Sequence, residues 1–177
     1  MRKPSLSLRA RAITLLAQRE HSAMELRRKL LRIARERDKI LHAEASSADS
    51  SAALDCASEA AAVAQDPGPE VAALLTWLQA QGYLDETRFV ESRLHARLAR
   101  HGNLRIKQEL AQHGLSLAPE QAQALKDSEL ERARVIWQRK FGEPAQDPAA
   151  RAKQMRFLAG RGFSADVIRQ LLRSSDP

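Results

Sequence analysis

The chain repeats itself at long range. Leu16, Ala17, Arg19, Ser22, Ala23, Arg27 and Leu30 each meet an identical residue 142 positions later, and Leu26 meets Ile168. The two stretches, LAQREHSAMELRRKL at 16–30 and LAGRGFSADVIRQLL at 158–172, read alike: the end of one helix, a short turn, the start of a second. Ser22 followed three residues on by Glu25 is a capping box, which satisfies backbone N–H groups at a new helix start. Leu26, Leu30 and Ile33 then recur at helical spacing and give that helix one apolar face. Arg27, Arg28, Lys29 and Arg32 fill much of the rest. A looser copy, LARHGNLRIKQEL, lies between them at 98–110. Units this small cannot bury their own apolar faces, so neighbours should stack into an elongated array. The fold class expected is all-α, built of three tandem three-helix repeats.

The intervening sequence fits. Apolar residues make up 44% of the chain but aromatics only 4%, so the core must be mainly Leu, Ala, Ile and Val. No segment alternates with period two long enough to suggest a strand. A first helix carries Leu8, Ala12, Leu15 and Leu16; a second starts after Ser22 and runs to about Lys39. Residues 41–69 are rich in Ala, Ser and Asp with little bulk to bury, which predicts a flexible insert, the alternative being extra helical turns that continue from Lys39 or form near residues 58–65. Val71, Leu74, Leu75 and Leu78 mark a third helix, stopped by Gly82. Asp85 is expected to cap a fourth, with Phe89, Val90, Leu94 and Leu98 inward, and Asn103 a fifth, with Ile106 and Leu110 inward. A sixth begins at Pro119. Ser128 with Glu131 reads as a second capping box, opening a seventh with Leu130, Ala133, Trp137 and Phe141 inward. Asp147 caps an eighth carrying Ala152, Met155, Leu158 and Ala159. Ser164 opens a ninth with Val167, Ile168, Leu171 and Leu172. The expected units are 7–84, which contains the insert, then 85–126 and 127–173.

Charge follows the same division. Residues 1–40 hold twelve Lys and Arg against four Asp and Glu, whereas residues 41–70 hold six acids and no base. The net charge of +7 therefore sits with the repeats. A basic surface suits nucleic acid or an acidic protein groove. A solvated helix surface is the plainer reading for any one arginine.

Chemistry-bearing motifs are missing. The sequence has no Gly-rich phosphate loop, zinc spacing or nucleophile elbow, so neither enzyme activity nor a cofactor is expected. The five histidines, His21, His42, His95, His101 and His113, form no ligand pair and are expected at the surface or in turns. Asp85-Glu86 reads as a helix cap with a favourable first-turn charge rather than an acid–base pair. Cys56 is alone and is expected to be inert. Arg9 and Arg11 interrupt any early apolar run, so no secretory signal is expected. The longest strongly apolar uncharged stretch, 71–84, has 14 residues, short of the about 20 that span a bilayer. A cytoplasmic location without membrane contact is expected.

The motifs also resemble a known family. REHS followed by ELRRKL at 19–30 resembles the first repeat of the RecX family of bacterial recombination regulators. GYLDETRFVESRLHARLARHGNLRIKQELAQHGL at 82–115 resembles its most distinctive segment, with the Gly-x-Leu-Asp turn, Arg88-Phe89, Gly102, Arg105-Ile106, Glu109-Leu110 and Gly114-Leu115. FLAGRGFSADVIRQLL at 157–172 is similar to its C-terminal repeat, with Arg161-Gly162-Phe163 at the turn. The chain departs from the family pattern after the first basic helix, where a glycine and a short link are usual and this sequence has the long insert.

The resemblance implies a curved, elongated all-α protein without catalytic residues. It also implies binding to the RecA recombinase filament on single-stranded DNA, with ATP hydrolysis, strand exchange and co-protease activity inhibited. Charge and helical facing nominate the contacts: Arg27, Arg28 and Arg32 in the first unit; Arg93, Arg97, Arg100, Arg105 and Lys107 in the second; Arg156, Arg161 and Arg169 in the third. Partners would be RecA and DNA, single-stranded or double-stranded, bound without sequence preference by a monomer. Neutralising Arg93, Arg97 and Arg100 together is expected to weaken inhibition. Tyr83, Phe89, Trp137 and Phe163 are expected to pack rather than to stack on bases. The alternative is a helix-turn-helix protein that reads duplex sequence, since a turn before a basic helix permits it. Against it, no single helix concentrates the Asn, Gln and Arg that read base edges.

Overall fold

The structure, a computed structural model, describes residues 6–48, 66–145 and 147–173. The all-α expectation holds: the described residues form nine helices and no strand. They divide into two compact units, 1–86 and 87–177.

The first unit holds α1 (Leu8–Gln18), α2 (Ala23–Ala48) and α3 (Gly68–Ala80). Ser7 opens α1 by accepting a hydrogen bond from the Ala10 N–H. Ser22 opens α2, its hydroxyl accepting from the Glu25 N–H at 3.1 Å. Leu26 and Leu30 on α2 close a core with Ala12, Val71, Leu75, Leu78 and Leu84. Both α2 leucines are wholly buried, and truncating either to Ala would cost about 2–5 kcal/mol.

α2 runs nine residues beyond its expected end at Lys39. Ala43, Ala45 and Ala48 are good helix formers, and extending an existing helix is far easier than starting one. Residues 41–48 are thus helix rather than linker, matching the alternative of turns continuing from Lys39. Residues 49–65 lie outside the described residues, as does Cys56; the flexibility and inertness expected there are not addressed by the structure.

The second unit holds six helices: α4 (Glu86–Leu98), α5 (Asn103–Ala111), α6 (Pro119–Asp127), α7 (Glu129–Phe141), α8 (Pro148–Gly160) and α9 (Ala165–Arg173). α4–α6 enclose Phe89, Val90, Ile106, Leu110 and Leu125. α7–α9 enclose Ala133, Ile136, Trp137, Leu158, Phe163, Ile168, Leu171 and Leu172. Asp147 caps α8 as expected, accepting from the Ala150 N–H at 2.8 Å.

Three local expectations fail. Ser128 does not build a capping box with Glu131. α6 runs almost directly into α7, Ser128 takes a helical conformation, and its hydroxyl turns back to donate to the carbonyls of Ala124 and Leu125. Asn103 is not the cap of α5; Gly102 holds that position and Asn103 is the first helical residue. Met155 and Ala159, expected on the apolar side of α8, are exposed, and Gln154 beside Met155 is buried instead. Gln154 accepts from the Trp137 indole at 3.1 Å and donates to the Glu143 carbonyl, so a polar residue satisfies a buried N–H that no methionine could.

The two three-helix sets of the second unit meet at close quarters. Gly102 N–H donates to the Arg161 carbonyl at 2.9 Å, and Leu104 N–H to the Gly162 carbonyl at 3.0 Å. A Cβ on Gly102 would lie 2.3 Å from the Gly162 carbonyl oxygen. Gly162 itself adopts φ +82°, and its Cβ would lie 2.6 Å from that of Arg105. Only glycines permit this approach.

Candidate nucleic-acid interface

The eleven cations nominated from sequence fall into three classes. The first is the outer face of α2. Its core residues Leu26, Leu30 and Ala34 lie on one side. Arg28, Arg32, Arg35 and Lys39, at i, i+4, i+7 and i+11, fall on the opposite side at 3.6 residues per turn, with Arg27 beside them. All five are exposed. None forms an ion pair or side-chain hydrogen bond with another described residue. Two acids lie nearby: Asp38 is taken by Arg37 at 3.2 Å, and exposed Glu36 lines the same concavity one turn from Arg32 and Lys39. Arg28–Arg32 and Arg35–Lys39 are like charges four residues apart, each pair costing a helix roughly 0.2–0.5 kcal/mol. The fold gains nothing visible from this arrangement. Arg35 and Lys39 were not among the sequence candidates, although reading the helical wheel one turn further would have found them.

The second class does structural work. On α4, Arg97 grips Glu109 of α5 through two hydrogen bonds, at 2.8 and 2.9 Å, and Arg93 approaches the same carboxylate at 3.5 Å. Burial alone would raise the Glu109 carboxyl; the Arg97 hydrogen bonds and charge outweigh it and hold the carboxyl below the usual range. Arg93 also lies over the Phe89 ring. Arg161 donates to the Arg100 carbonyl at 2.9 Å and stacks on Phe157, fastening the α8–α9 turn to the α4–α5 turn. Arg169 is paired with Asp166 one turn back on α9. The third class, Arg100, Arg105, Lys107 and Arg156, is exposed and forms no side-chain ion pair or hydrogen bond with another described residue. His101 lies among Arg105, Arg97 and Arg161 with its Nδ1 buried and without a hydrogen-bond partner among the described residues; burial, then those three charges, lowers its pKa.

Glu129, which the sequence reading passed over, holds the junction. It is buried at the start of α7. One carboxylate oxygen accepts from the backbone N–H of both Asn103 and Ser164, and the other from the Ser164 hydroxyl, all within 3.2 Å. A single side chain therefore serves the first turns of α5 and α9. Arg132 beside it donates to the carbonyls of His101 and Leu125 and to the Asn103 side chain. No short motif could reveal this, because the acceptor lies 26 residues from one donor and 35 from the other.

The equivalent turn of the first unit is held locally. His21, in the position of Phe163, is wholly buried between α1 and α2. Its Nδ1 lies 2.9 Å from the Arg19 carbonyl, which can only accept, so Nδ1 carries the proton. Nε2 then accepts from the Lys29 ammonium at 2.9 Å. Burial pushes the imidazole pKa down, against the pull of the carbonyl bond. Arg19 clamps Glu25 through both guanidinium nitrogens, and Lys29 approaches it at 3.3 Å. Burial would raise the Glu25 carboxyl, but these hydrogen bonds prevail and hold it at about 2. His21 is thus a turn residue, as expected, though not a surface one.

The aromatic expectations hold for Phe89, Trp137 and Phe163, which are buried. Tyr83 is half exposed and packs on Trp77, whose ring is also covered by Arg9 at 3.7 Å. No cluster of three or more His, Cys, Asp or Glu residues suited to a metal occurs among the described residues. No helix there is long and apolar enough to cross a membrane.

Comparison with known proteins gives a consistent result. The family model for the third three-helix domain of RecX matches residues 127–172, and that for the second matches residues 85–118. The Regulatory protein RecX of Leptothrix cholodnii is 42% identical over 176 residues, covering 98% of this chain and 92% of that one. That of Ralstonia nicotianae is 42% identical over 174 residues, covering 97% and 89%. That of Pseudomonas putida is 38% identical over 179 residues, covering 97% and 92%.

Proposed function

The chain belongs to the RecX family of regulatory proteins, and on that premise we propose that it binds the RecA filament on single-stranded DNA and inhibits it. ATP hydrolysis, strand exchange and co-protease activity by RecA all fall when it binds. The role is non-catalytic. It rests on contact along a polymer whose exposed phosphates and carboxylates attract cations. The observation that carries the reading is the α2 face: exposed cations with no ion partner among the described residues, gathered in one row along a single helix.

Binding is without sequence preference, since phosphate contacts carry no base information. A sequence reader would place Asn and Gln as well as Arg against base edges, and the exposed ridge of α2 carries neither Asn nor Gln. The working units are 7–84, 85–126 and 127–173, acting as one monomer in the cytoplasm.

The test is RecA-dependent ATP hydrolysis on single-stranded DNA, titrated with the protein. Dose-dependent inhibition that weakens as salt rises is the expected result. A rate unchanged at severalfold excess over RecA rules the reading out.

A further inference from the structure

Resting on that reading, we infer that the outer face of α2 is the chain's nucleic-acid contact, lying along one sugar-phosphate strand through Arg28, Arg32, Arg35 and Lys39. At 1.5 Å per residue the four cations span about 16 Å of helix axis. Successive steps of three and four residues set them about 4.5–6 Å apart along that axis, close to the spacing of phosphates along a strand. Cations outnumber acids over that length: exposed Glu36 flanks the row, and Asp38 is engaged by Arg37.

Charge and composition select the occupant. A polyphosphate needs a row of guanidinium and ammonium groups free to turn toward it, and these side chains have no ion partner among the described residues. A protein-docking face would instead centre on aromatic anchors in a packed pocket. α2 contains no Phe, Tyr or Trp, and its exposed apolar side chain on this face is Met24. Arg93 and Arg97, although on a helix of similar charge, are excluded from the same role by their shared carboxylate, Glu109.

The experiment compares the protein with the triple variant Arg28→Gln/Arg32→Gln/Arg35→Gln and with the corresponding Arg→Lys variant. Each is titrated against a fluorescent oligo-dT between 50 and 300 mM NaCl, and each is assayed for RecA inhibition. Helical content by circular dichroism should match in all three, since the substituted side chains are exposed. The Gln variant should lose tenfold or more in affinity at 100 mM NaCl. Its log–log salt slope should be shallower by about 2, the release of three counterions from a single strand. The Lys variant should keep the wild-type slope.

An unchanged slope in the Gln variant overturns the assignment. So does poly-glutamate competing as well as the oligonucleotide, which would make the face a protein-docking surface. If wild-type protein inhibits RecA and the Gln variant keeps its oligonucleotide binding, the α2 assignment alone fails. If the variant loses that binding while even wild-type protein leaves RecA untouched, the α2 assignment stands and the filament reading fails.

Discussion

α2 and α9 are copies of one helix, yet they treat their charge differently. Arg27 and Arg169 occupy the same repeat position. On α9 the residue three earlier is Asp166, which pairs with Arg169. On α2 the matching residue is Met24, exposed and uncharged, and Arg27 has no acid partner among the described residues. The turns before the two helices differ in the same sense. Around α9, polar groups join one three-helix set to the next through Glu129, Gly102 and Arg161. Around α2, His21, Glu25, Arg19 and Lys29 close a network within residues 19–29. One copy uses its polar chemistry to hold two sets together, and the other keeps that chemistry local and leaves its outer face to solvent. The lesson is that sequence repetition preserves packing positions more faithfully than it preserves the use made of surface charge.

The sharpest way to break the contrast is Gly102→Ala. A methyl 2.3 Å from the Gly162 carbonyl forces the two sets apart, at a cost of about 3 kcal/mol. The drop should appear in the urea midpoint of the full chain. Stability within 0.5 kcal/mol of wild type, a threshold of about the usual surface-substitution scatter, would show that the close approach is not needed.

A smaller effect is expected from His21→Phe, which gives the first turn the residue of the second. Folding depresses the His21 pKa below 6.5, so the unfolded chain binds more protons in that range. The stability due to neutral His21 is present above pH 6.5 and is lost as pH falls toward the folded value. The variant should lack this loss between pH 7.5 and 5 while changing stability at pH 7.5 by under about 1.5 kcal/mol. A further loss from Glu25, beginning near its unfolded value of 4.5 and running down to about 2, should persist. Urea titrations at pH 7.5, 6 and 5 measure the first part. A wild-type slope retained in the variant would assign the acid sensitivity elsewhere.

The smallest change in stability belongs to Met24→Asp, which copies Asp166 onto α2. An acid in the first turn is favourable by a few tenths of a kcal/mol, about 0.3–1 at most. It should nevertheless weaken oligonucleotide binding about two- to threefold by giving Arg27 a partner. Unaltered binding would confine the α2 contact to the Arg28 side of the helix.

What sequence revealed and what it hid divide by the range of the interaction. Ser22, Asp147 and the Leu26–Leu30 pair act within a turn or two, and their roles could be read directly. The Ser128–Glu131 motif has the right spacing, but a cap also needs the preceding chain to leave the helical path, and α6 runs on to Asp127. Apolar periodicity points to Met155 and says nothing of Gln154, whose reason for burial is Trp137, seventeen residues away. The arginine candidates suffered most. A helical wheel shows Arg93 and Arg97 on one side of α4, but it cannot show that Glu109 of α5 waits opposite. Facing predicts where a charge points; only tertiary structure tells whether the protein has already answered it.

Glu129 carries a last implication. Because one carboxylate closes the opening turns of both α5 and α9, fraying at either end strips an acceptor from the other. The amide protons of Asn103 and Ser164 should therefore exchange with deuterium at matched rates, as members of one cooperative opening event rather than two.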